Sequence, residues 1–323
     1  MRHAPAAIRR SLLVPAAVLA AAVPVAEVQA QASGQDIRLN RTIETLDRGE
    51  ATFGIFNGDF SLANARSLTS SGLDFVLIDM EHGPWSSETL QAFLLGMTDK
   101  ASIVRNGHLQ MAVTPIVRVP QNGREMLDFI VKQALDMGAF GIMFPFINNR
   151  DEAVHAVASM RYPRPRGSDI AEPHGWRGRS PGVATWFWGI SGGEYFQRAD
   201  VWPLNPRGEL LAAIQIETPE AVDNIEEIIT VPGVGAIFIG PLDLATQMGY
   251  GDNTGHPDVE AAIQTVLASC LAHNIPCGLT TGAGNVEQRI SQGFRFVTVG
   301  GAGGITPGTA EALNRGMSAA GRR

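Results

Sequence analysis

Two carboxylates in the second half of the chain lie where apolar, strand-like runs end. Glu217 follows residues 211–216, and Asp243 comes shortly after residues 236–239. A carboxylate is costly inside a buried sheet, but at the open end of a sheet it can bind a metal. Two such groups on successive strands give a hard divalent cation an incomplete oxygen shell, which substrate oxygens and water can complete. The pattern indicates a metal site, although Glu217 could instead cap a helix and Asp243 could close a turn.

Other apolar runs also end in polar residues. His82 follows one such run, Arg118 lies near the end of a second, and Gln215 lies near the end of a third. A histidine can act as general base near neutral pH, and an arginine offers a forked, permanently charged donor to a carboxylate or a developing enolate. Together with the two carboxylates, these groups would polarise a 2-oxo acid and move a proton beside it. Taken singly, His82 could be structural, Arg118 could pair with a surface carboxylate, and Gln215 could bond to a neighbouring loop.

The elements that must position these residues alternate between short apolar runs and longer amphipathic runs. Apolar strands separated by helices are typical of a parallel sheet that is covered on both faces. Eight such units predict an α/β fold, a single-domain (β/α)8 TIM barrel with its active site at the C-terminal ends of the strands. An open doubly wound sheet is the alternative, but no Gly-x-Gly-x-x-Gly follows the first strand. The predicted strands are residues 52–56, 75–79, 115–119, 141–146, 211–216, 236–239, 277–280 and 296–299, and the clearest predicted helices are residues 87–97, 125–137, 151–160, 220–229 and 258–273.

The region 161–208 interrupts this alternation. It is rich in proline, glycine, arginine and aromatic residues, including Trp176, Trp186 and Trp188. A loop of this length inside a compact domain is usually functional or a contact between subunits. We therefore interpret it as an excursion from the barrel and not as a second domain.

The first 32 residues have the organisation of an export signal. Arg2, Arg9 and Arg10 precede an uncharged stretch at residues 11–26, and a small-residue cleavage site follows. The uncharged stretch is shorter than the roughly 20 residues that span a bilayer comfortably. We therefore expect residues 1–32 to be removed, with no lasting membrane insertion, and the product to be periplasmic. The arginine pair also matches a twin-arginine signal, so either that route or the general secretory route could be used.

Composition excludes some classes of partner and site. The formal charge is −7, and no cluster of lysine and arginine is present, which argues against a nucleic-acid partner. The two cysteines, Cys270 and Cys277, cannot form a disulfide framework and lack the spacing of a zinc site. We expect both to be buried as small apolar residues.

The ordered motifs resemble those of the HpcH/HpaI aldolases, which are class II pyruvate aldolases and a branch of the citrate-lyase-like barrels. The similarity runs from about residue 54 to residue 301, and the combination is far more specific than any single motif. The matching stretches are residues 72–84, 115–120, 134–139, 215–218 and 238–249.

The resemblance implies a divalent metal, Mg²⁺, Mn²⁺ or Co²⁺, held by Glu217 and Asp243. Pyruvate would chelate this metal through its keto and carboxylate oxygens, and Gln215 and the backbone at Leu242 and Asp243 would line the pyruvate pocket. The domain that resembles the family is residues 33–323. Such barrels commonly assemble, so a homo-oligomer, either a trimer or a hexamer, is expected.

The resemblance also implies the roles of three catalytic residues. His82 would be the base, acting through a water, Asp136 would raise its basicity, and Arg118 would stabilise the enolate and the aldol oxygen. The implied reaction is the cleavage or formation of 4-hydroxy-2-oxo acids through a metal-bound pyruvate enolate, with an aldehyde as the second substrate. Two alternatives stay open: a decarboxylase or lyase on another 2-oxo diacid such as oxaloacetate, and a non-catalytic exported protein that binds carboxylates.

The chain departs from the family pattern at several places. The loop at residues 121–124 is longer than usual, the segment 165–175 looks inserted, and Leu242 stands where a smaller residue is common. These changes lie around the expected aldehyde side and leave the aldehyde unspecified. Export is a further departure, because family members are generally cytoplasmic.

Overall fold

A computed structural model of the chain describes residue 1 and residues 37–121, 125–301 and 304–322. From Ile37 onward the chain forms one compact unit. The predicted export signal and most of the loop at 121–124 lie outside the described residues, so both stay predictions from sequence. Within the described ranges, no helix is long and apolar enough to cross a membrane.

Eight parallel strands close into a barrel, which confirms the predicted (β/α)8 fold. The described sheet runs in the order β8-β7-β6-β4-β3-β2-β1-β9, and a short ninth strand, β5, pairs with the start of β6. The two ends of this order meet: the Arg295 amide donates to the Cys277 carbonyl at 2.9 Å, and the Thr281 amide donates to the Thr298 carbonyl at 2.7 Å. The strands are β1 (Thr52–Asn57), β2 (Phe75–Asp79), β3 (Thr114–Arg118), β4 (Gly141–Phe144), β5 (Val201–Trp202), β6 (Leu210–Ile216), β7 (Ala236–Ile239), β8 (Cys277–Leu279) and β9 (Phe296–Thr298).

Alternation along the strands divides the apolar residues between two cores. In β2, for example, Phe75 and Leu77 point into the barrel, whereas Val76 and Ile78 pack beneath the surrounding helices. Ile43 and Leu46 join the interior core from the helix that precedes β1. The interior is thus packed with side chains, as in other barrels of this type.

The helices cover the outside of the barrel and agree with the predicted ones apart from their ends. The predicted helix 220–229 is two helices that meet at Asn224, and the predicted strand 141–146 ends at Phe144. The described helices are α1 (Arg41–Asp47), α2 (Leu62–Leu68), α3 (Ser87–Gly96), α4 (Lys100–Asn106), α5 (Asp128–Asp136), α6 (Arg150–Met160), α7 (Ala184–Trp188), α8 (Gly192–Arg198), α9 (Pro219–Asp223), α10 (Ile225–Ile229), α11 (Pro241–Gln247), α12 (Pro257–Ala272), α13 (Val286–Gln292) and α14 (Pro307–Ala319).

Buried polar contacts hold the region 161–208 together internally, and an aromatic stack packs it against the barrel. Arg161 is fully buried, and its guanidinium donates to Asp200 and to the carbonyls of Ile170 and Pro173, each at 2.7 Å. Trp188 stacks on Phe140 with ring centroids 4.3 Å apart. The region therefore has an ordered structure of its own, and its suggested role in subunit contact stays a prediction.

The seam between β8 and β9 gives a test of barrel closure. A Cβ atom at Gly278 would overlap the carbonyl oxygen of Phe296 on the neighbouring strand. We expect Gly278→Ala to lower the free energy of unfolding by about 2 kcal/mol or more, because backbone on the facing strand cannot yield as a side chain can. Chemical denaturation measures the change. Gly284→Ala is the matched control, since a Cβ there meets nothing within 4 Å, and equal stability of the two variants would contradict the closure.

Candidate active site

The polar residues of the site continue the interior rows of the barrel at its C-terminal face. In β6, Leu211 and Ala213 point inward, and the period of two places Gln215 and Glu217 on the same side. The row that begins with Phe75 and Leu77 in β2 likewise reaches Asp79. The barrel interior is therefore apolar along most of its length and polar where the strands end.

Arg118 is the cationic centre of this polar layer. The strand register places it directly beside Asp79, so its Nε donates to Oδ1 at 3.0 Å and its Nη2 to Oδ2 at 2.5 Å. Its Nη1 lies 3.1 Å from Oε2 of Glu81, and its guanidinium carbon lies 4.4 Å above the centre of the Phe56 ring. The bidentate pair and the ring fix the plane of the guanidinium.

The two acids beside Arg118 differ in their tendency to ionise. Burial opposes ionisation of Asp79, but the hydrogen bonds and charge of Arg118 outweigh it and hold the pKa of this carboxyl below its usual value. For Glu81, burial outweighs the opposing charge of Arg118 and raises the pKa, and the charges of Asp79 and Asp243 add to the rise. Asp79 is therefore the permanent counter-ion of Arg118.

His82 connects this pair to the open side of the site. Its Nδ1 lies 3.2 Å from Oδ2 of Asp79 and 2.8 Å from Nη2 of Arg118, and its side chain is 64% exposed. When Nδ1 carries the proton it can donate to Asp79, which leaves Nε2 as a base. After Nε2 has accepted a proton, the ring is an imidazolium that still donates from Nδ1 to Asp79 and can return the proton from Nε2 as an acid. The ring can therefore exchange a proton at Nε2 while Nδ1 stays in contact with the pair.

Glu217 is the buried acid on the other side of the site. Its Oε1 accepts from the Phe146 amide at 3.0 Å, and its Oε2 accepts from Nε2 of Gln215 at 2.6 Å. Burial raises the pKa of Glu217 to about 8, and the charges of Glu81 and Asp243 act in the same direction. A Cβ at Gly240 would overlap Oε2 of Glu217, so a side chain at the end of β7 would displace this carboxylate.

These donor groups suit a divalent cation. Glu217 and Asp243 are oxygen ligands of the kind that Mg²⁺ and Mn²⁺ prefer, and the buried Oε1 of Gln215 has no hydrogen-bond partner among the described residues. A cation would offset the repulsion between the acids and the cost of burying Glu217. The fit thus rests on this group of acids and on an unpaired oxygen beside it.

A second group of possible ligands is already engaged. Single donor atoms of Asp79, Glu81 and His82 lie within 4.8 Å of one another. However, the guanidinium of Arg118 contacts all three residues, so a permanent cation already faces these atoms. This group is therefore less suited to a cation than Glu217 and Asp243, whose role as ligands stays a prediction.

Leu242 and Asp243 lie in the first turn of α11, directly after β7. Leu242 is 55% exposed, and Asp243 is half-buried and close enough to raise the pKa values of Glu81 and Glu217. Amides in the first turn of a helix have no acceptor within the helix. The placement is compatible with the predicted lining of a pocket for an anionic substrate.

The prediction that Asp136 raises the basicity of His82 needs a correction, because the structure does not bring the two residues together. It ends α5 near the start of β4, whereas His82 follows the end of β2. Its carboxylate instead binds Lys132 and accepts from Nη2 of Arg177 at 2.7 Å. Asp79 contacts His82 in its place, so Asp136 anchors the region 161–208 and Asp79 supports the histidine.

Sequence reasoning thus assigned no role in the site to Asp79, Glu81 or Phe146. Asp79 was visible as the end of an apolar strand three residues before His82, a spacing that allows a contact within one turn. Phe146 carried no signal, because its contribution is a backbone amide presented from a left-handed conformation with φ of 53°.

Known proteins resemble this chain in sequence and in fold. The model of the HpcH/HpaI aldolase/citrate lyase family matches residues 52–306. The chain belongs to this family. It is 33% identical over 231 residues to a 5-keto-4-deoxy-D-glucarate aldolase of Salmonella arizonae, covering 71% of this chain and 78% of the relative. It is also 32% identical over 255 residues to a 2-dehydro-3,6-dideoxy-6-sulfogluconate aldolase of Pseudomonas putida, covering 79% and 88%.

Solved structures of the family have the same fold. The crystal structure of an HpcH/HpaI aldolase/citrate lyase family protein from Burkholderia cenocepacia J2315 superimposes with a TM-score of 0.68. It is 32% identical and covers 81% of this chain and 93% of its own. The predictions of the family and of an aldolase-type lyase are thereby confirmed at the level of the family.

The pairing of Asp79, and not Asp136, with His82 can be tested by two matched substitutions. We expect Asp79→Asn to lower turnover about 100-fold, because it removes the charge that holds Arg118 and His82 in place. Asp136→Asn should leave kcat within about threefold and instead lower thermal stability, since it breaks the contact with Arg177. Steady-state kinetics and thermal denaturation of both variants measure these effects. The reverse pattern would restore Asp136 as the partner of the histidine.

Proposed function

We propose that this protein is a metal-dependent carbon–carbon lyase that cleaves or forms 4-hydroxy-2-oxo acids. One observation carries the proposal: the barrel interior ends in two adjacent groups of side chains, one centred on a cation and the other made of acids. One group is Arg118 with Asp79 and His82, which can handle protons and negative charge. The other is the acid group of Glu217 and Asp243, which suits a cation.

The names of the relatives support this substrate class. The two aldolases described above are named for oxo acids of deoxy sugars. A 2-oxo acid with a hydroxyl at carbon 4 is the part of such molecules that a retro-aldol reaction needs. We therefore propose a polyhydroxylated oxo acid as substrate and pyruvate with an aldehyde as products.

Glu217 and Asp243 would hold the divalent cation, with Mg²⁺, Mn²⁺ and Co²⁺ as candidates. When bound, the cation would act as a Lewis acid that polarises the keto group of the 2-oxo acid. Gln215 lies beside Glu217 with an unpaired Oε1, so it can bind a substrate hydroxyl or a ligated water.

The protein's own groups would move the proton and stabilise the charge. Nε2 of His82, directly or through a water, accepts the proton of the 4-hydroxyl while the bond between carbons 3 and 4 breaks. The bonding electrons pass to the 2-oxo group and the aldehyde leaves. Arg118, fixed by Asp79 and Phe56, stabilises the negative oxygen. The proton then returns to carbon 3 to give pyruvate, so acid and base roles alternate on one histidine.

Substitution of Glu217 tests the metal-binding part of the proposal. We expect Glu217→Gln to lose about 10³-fold or more in metal-dependent turnover, a change of roughly 4 kcal/mol in transition-state stabilisation. Pyruvate release from a 4-hydroxy-2-oxo acid, with and without added Mn²⁺, measures the effect. The exposed Glu227→Gln is the matched control, because it removes the same charge away from the site.

Two outcomes would argue against the proposal. Full activity of metal-stripped wild-type protein would remove the metal from the mechanism. Binding of Mn²⁺ and a 2-oxo acid without turnover, across many aldehydes, would favour a carboxylate-binding protein instead.

Substitution of His82 distinguishes the aldolase from a decarboxylase. Aldol cleavage requires removal of a hydroxyl proton, whereas decarboxylation of oxaloacetate requires only an electron sink. We expect His82→Ala to lower cleavage of a 4-hydroxy-2-oxo acid at least about 100-fold and to change oxaloacetate decarboxylation less than about fivefold. Parallel assays of both reactions on one preparation give the ratio of the two losses in activity. Equal losses on both substrates would contradict the assignment of His82 as the hydroxyl base.

A further inference from the structure

Glu217 depends on a backbone amide that is held in an unfavourable conformation. Phe146 has φ of 53°, a left-handed conformation that costs free energy for any residue with a side chain. This conformation presents the Phe146 amide to Oε1 of Glu217 at 3.0 Å. Something must hold the backbone there, because non-glycine residues leave this region when the surrounding structure allows it.

Asn148 bonds to this backbone segment and to the segment that carries Glu217. Nδ2 of Asn148 donates to the Phe146 carbonyl at 2.9 Å, and its Oδ1 accepts from the hydroxyl of Thr218. Its amide donates to Glu152 at 2.7 Å, and its carbonyl accepts from Asn224 at 2.9 Å. Asn148 is only 2% exposed, so these bonds are shielded from water.

The two ends of the Asn148 side chain bond to the two segments that meet in the hydrogen bond between the Phe146 amide and Glu217. One end binds Phe146, which supplies the amide, and the other binds Thr218, which directly follows Glu217. Thr218 is itself fixed, because its hydroxyl caps α9 by accepting from the Ala221 amide at 3.0 Å. The loop after β4 and the end of β6 are therefore tied together through one asparagine.

We propose that Asn148 is a positioning residue that holds the Phe146 amide on Glu217 and thereby sets the affinity of the site for a divalent cation. The proposal rests on the proposed function, because it requires Glu217 to be a cation ligand. Its physical basis is that groups which orient a ligand are needed for tight binding although they do not touch the cation. Loss of Asn148 frees Phe146 to adopt a common backbone conformation and leaves Oε1 without its donor.

The test measures binding of Mn²⁺ alone, by electron paramagnetic resonance of the free ion, for wild type and two variants. Asn148→Ala removes both bonds of the side chain, and Asn148→Asp keeps an acceptor for Thr218 but loses the donor to Phe146. We expect both to raise the Kd for Mn²⁺ at least about tenfold. Asn205→Ala is the matched control, because Asn205 is also buried and donates to Asp200 at 3.2 Å in the region 161–208. It should lower stability and leave the Kd unchanged.

A rescue distinguishes positioning from a general structural role. Glycine adopts positive φ without cost, so Phe146→Gly should lessen the need for Asn148. We expect the double variant Phe146→Gly/Asn148→Ala to recover most of the lost Mn²⁺ affinity, although its thermal stability should not recover. A structural role alone would lower stability and affinity together and show no rescue.

The outcomes separate this proposal from the proposed function. A folded Asn148→Ala or Asn148→Asp protein with wild-type Kd for Mn²⁺ would overturn the role of Asn148 and leave the lyase intact. Failure of the double variant to recover affinity would overturn the route through Phe146. A wild-type protein that binds no Mn²⁺ would overturn both this proposal and the metal-dependent function.

Discussion

A closed barrel of parallel strands has an interior that side chains must fill, and the period of two along each strand decides which ones do so. The strand residues of the site, Asp79, Arg118 and Gln215, depend on that constraint. The rows that begin with Phe75 in β2 and Leu211 in β6 pack the middle of the barrel, and the same rows end in Asp79 and Glu217. The strands thus carry part of the site directly. Its side chains converge because the strands that carry them are in register and close on one another.

The polar layer divides its charge between two places. Arg118 is balanced by Asp79, whose pKa is held below its usual value, so this pair stays charged and fixed. The pKa values of Glu81 and Glu217 are raised because burial and mutual repulsion work against ionisation. An excess of acid on one side, next to a fixed cation on the other, would place the oxo-acid end and the hydroxyl end of the proposed substrate in different electrostatic surroundings.

The sequence was sufficient for the fold and for most of the side chains in the site. Apolar strands at regular spacing predicted the barrel, and polar residues at strand ends located His82, Arg118 and Glu217. Asp136 was assigned by resemblance in a short motif, and the structure places it at the other end of α5, because a helix that returns between strands takes its last residue away from the site. Strand register, which placed Asp79 beside Arg118, could not be read from local patterns.

What the sequence could not supply is the backbone geometry around Glu217. Two backbone positions, Gly240 and Phe146, contact this carboxylate in different ways. One leaves space for it, and the other donates a hydrogen bond to it. Gly240 leaves room for the carboxylate, because a Cβ there would displace Oε2 of Glu217. Phe146 has a side chain but must adopt a left-handed backbone to aim its amide at the same carboxylate. At Gly240 the residue type alone is sufficient. At Phe146 the conformation requires hydrogen bonds from other parts of the chain. A buried acid whose pKa is raised to about 8 is therefore held in place by its backbone neighbours as much as by its strand.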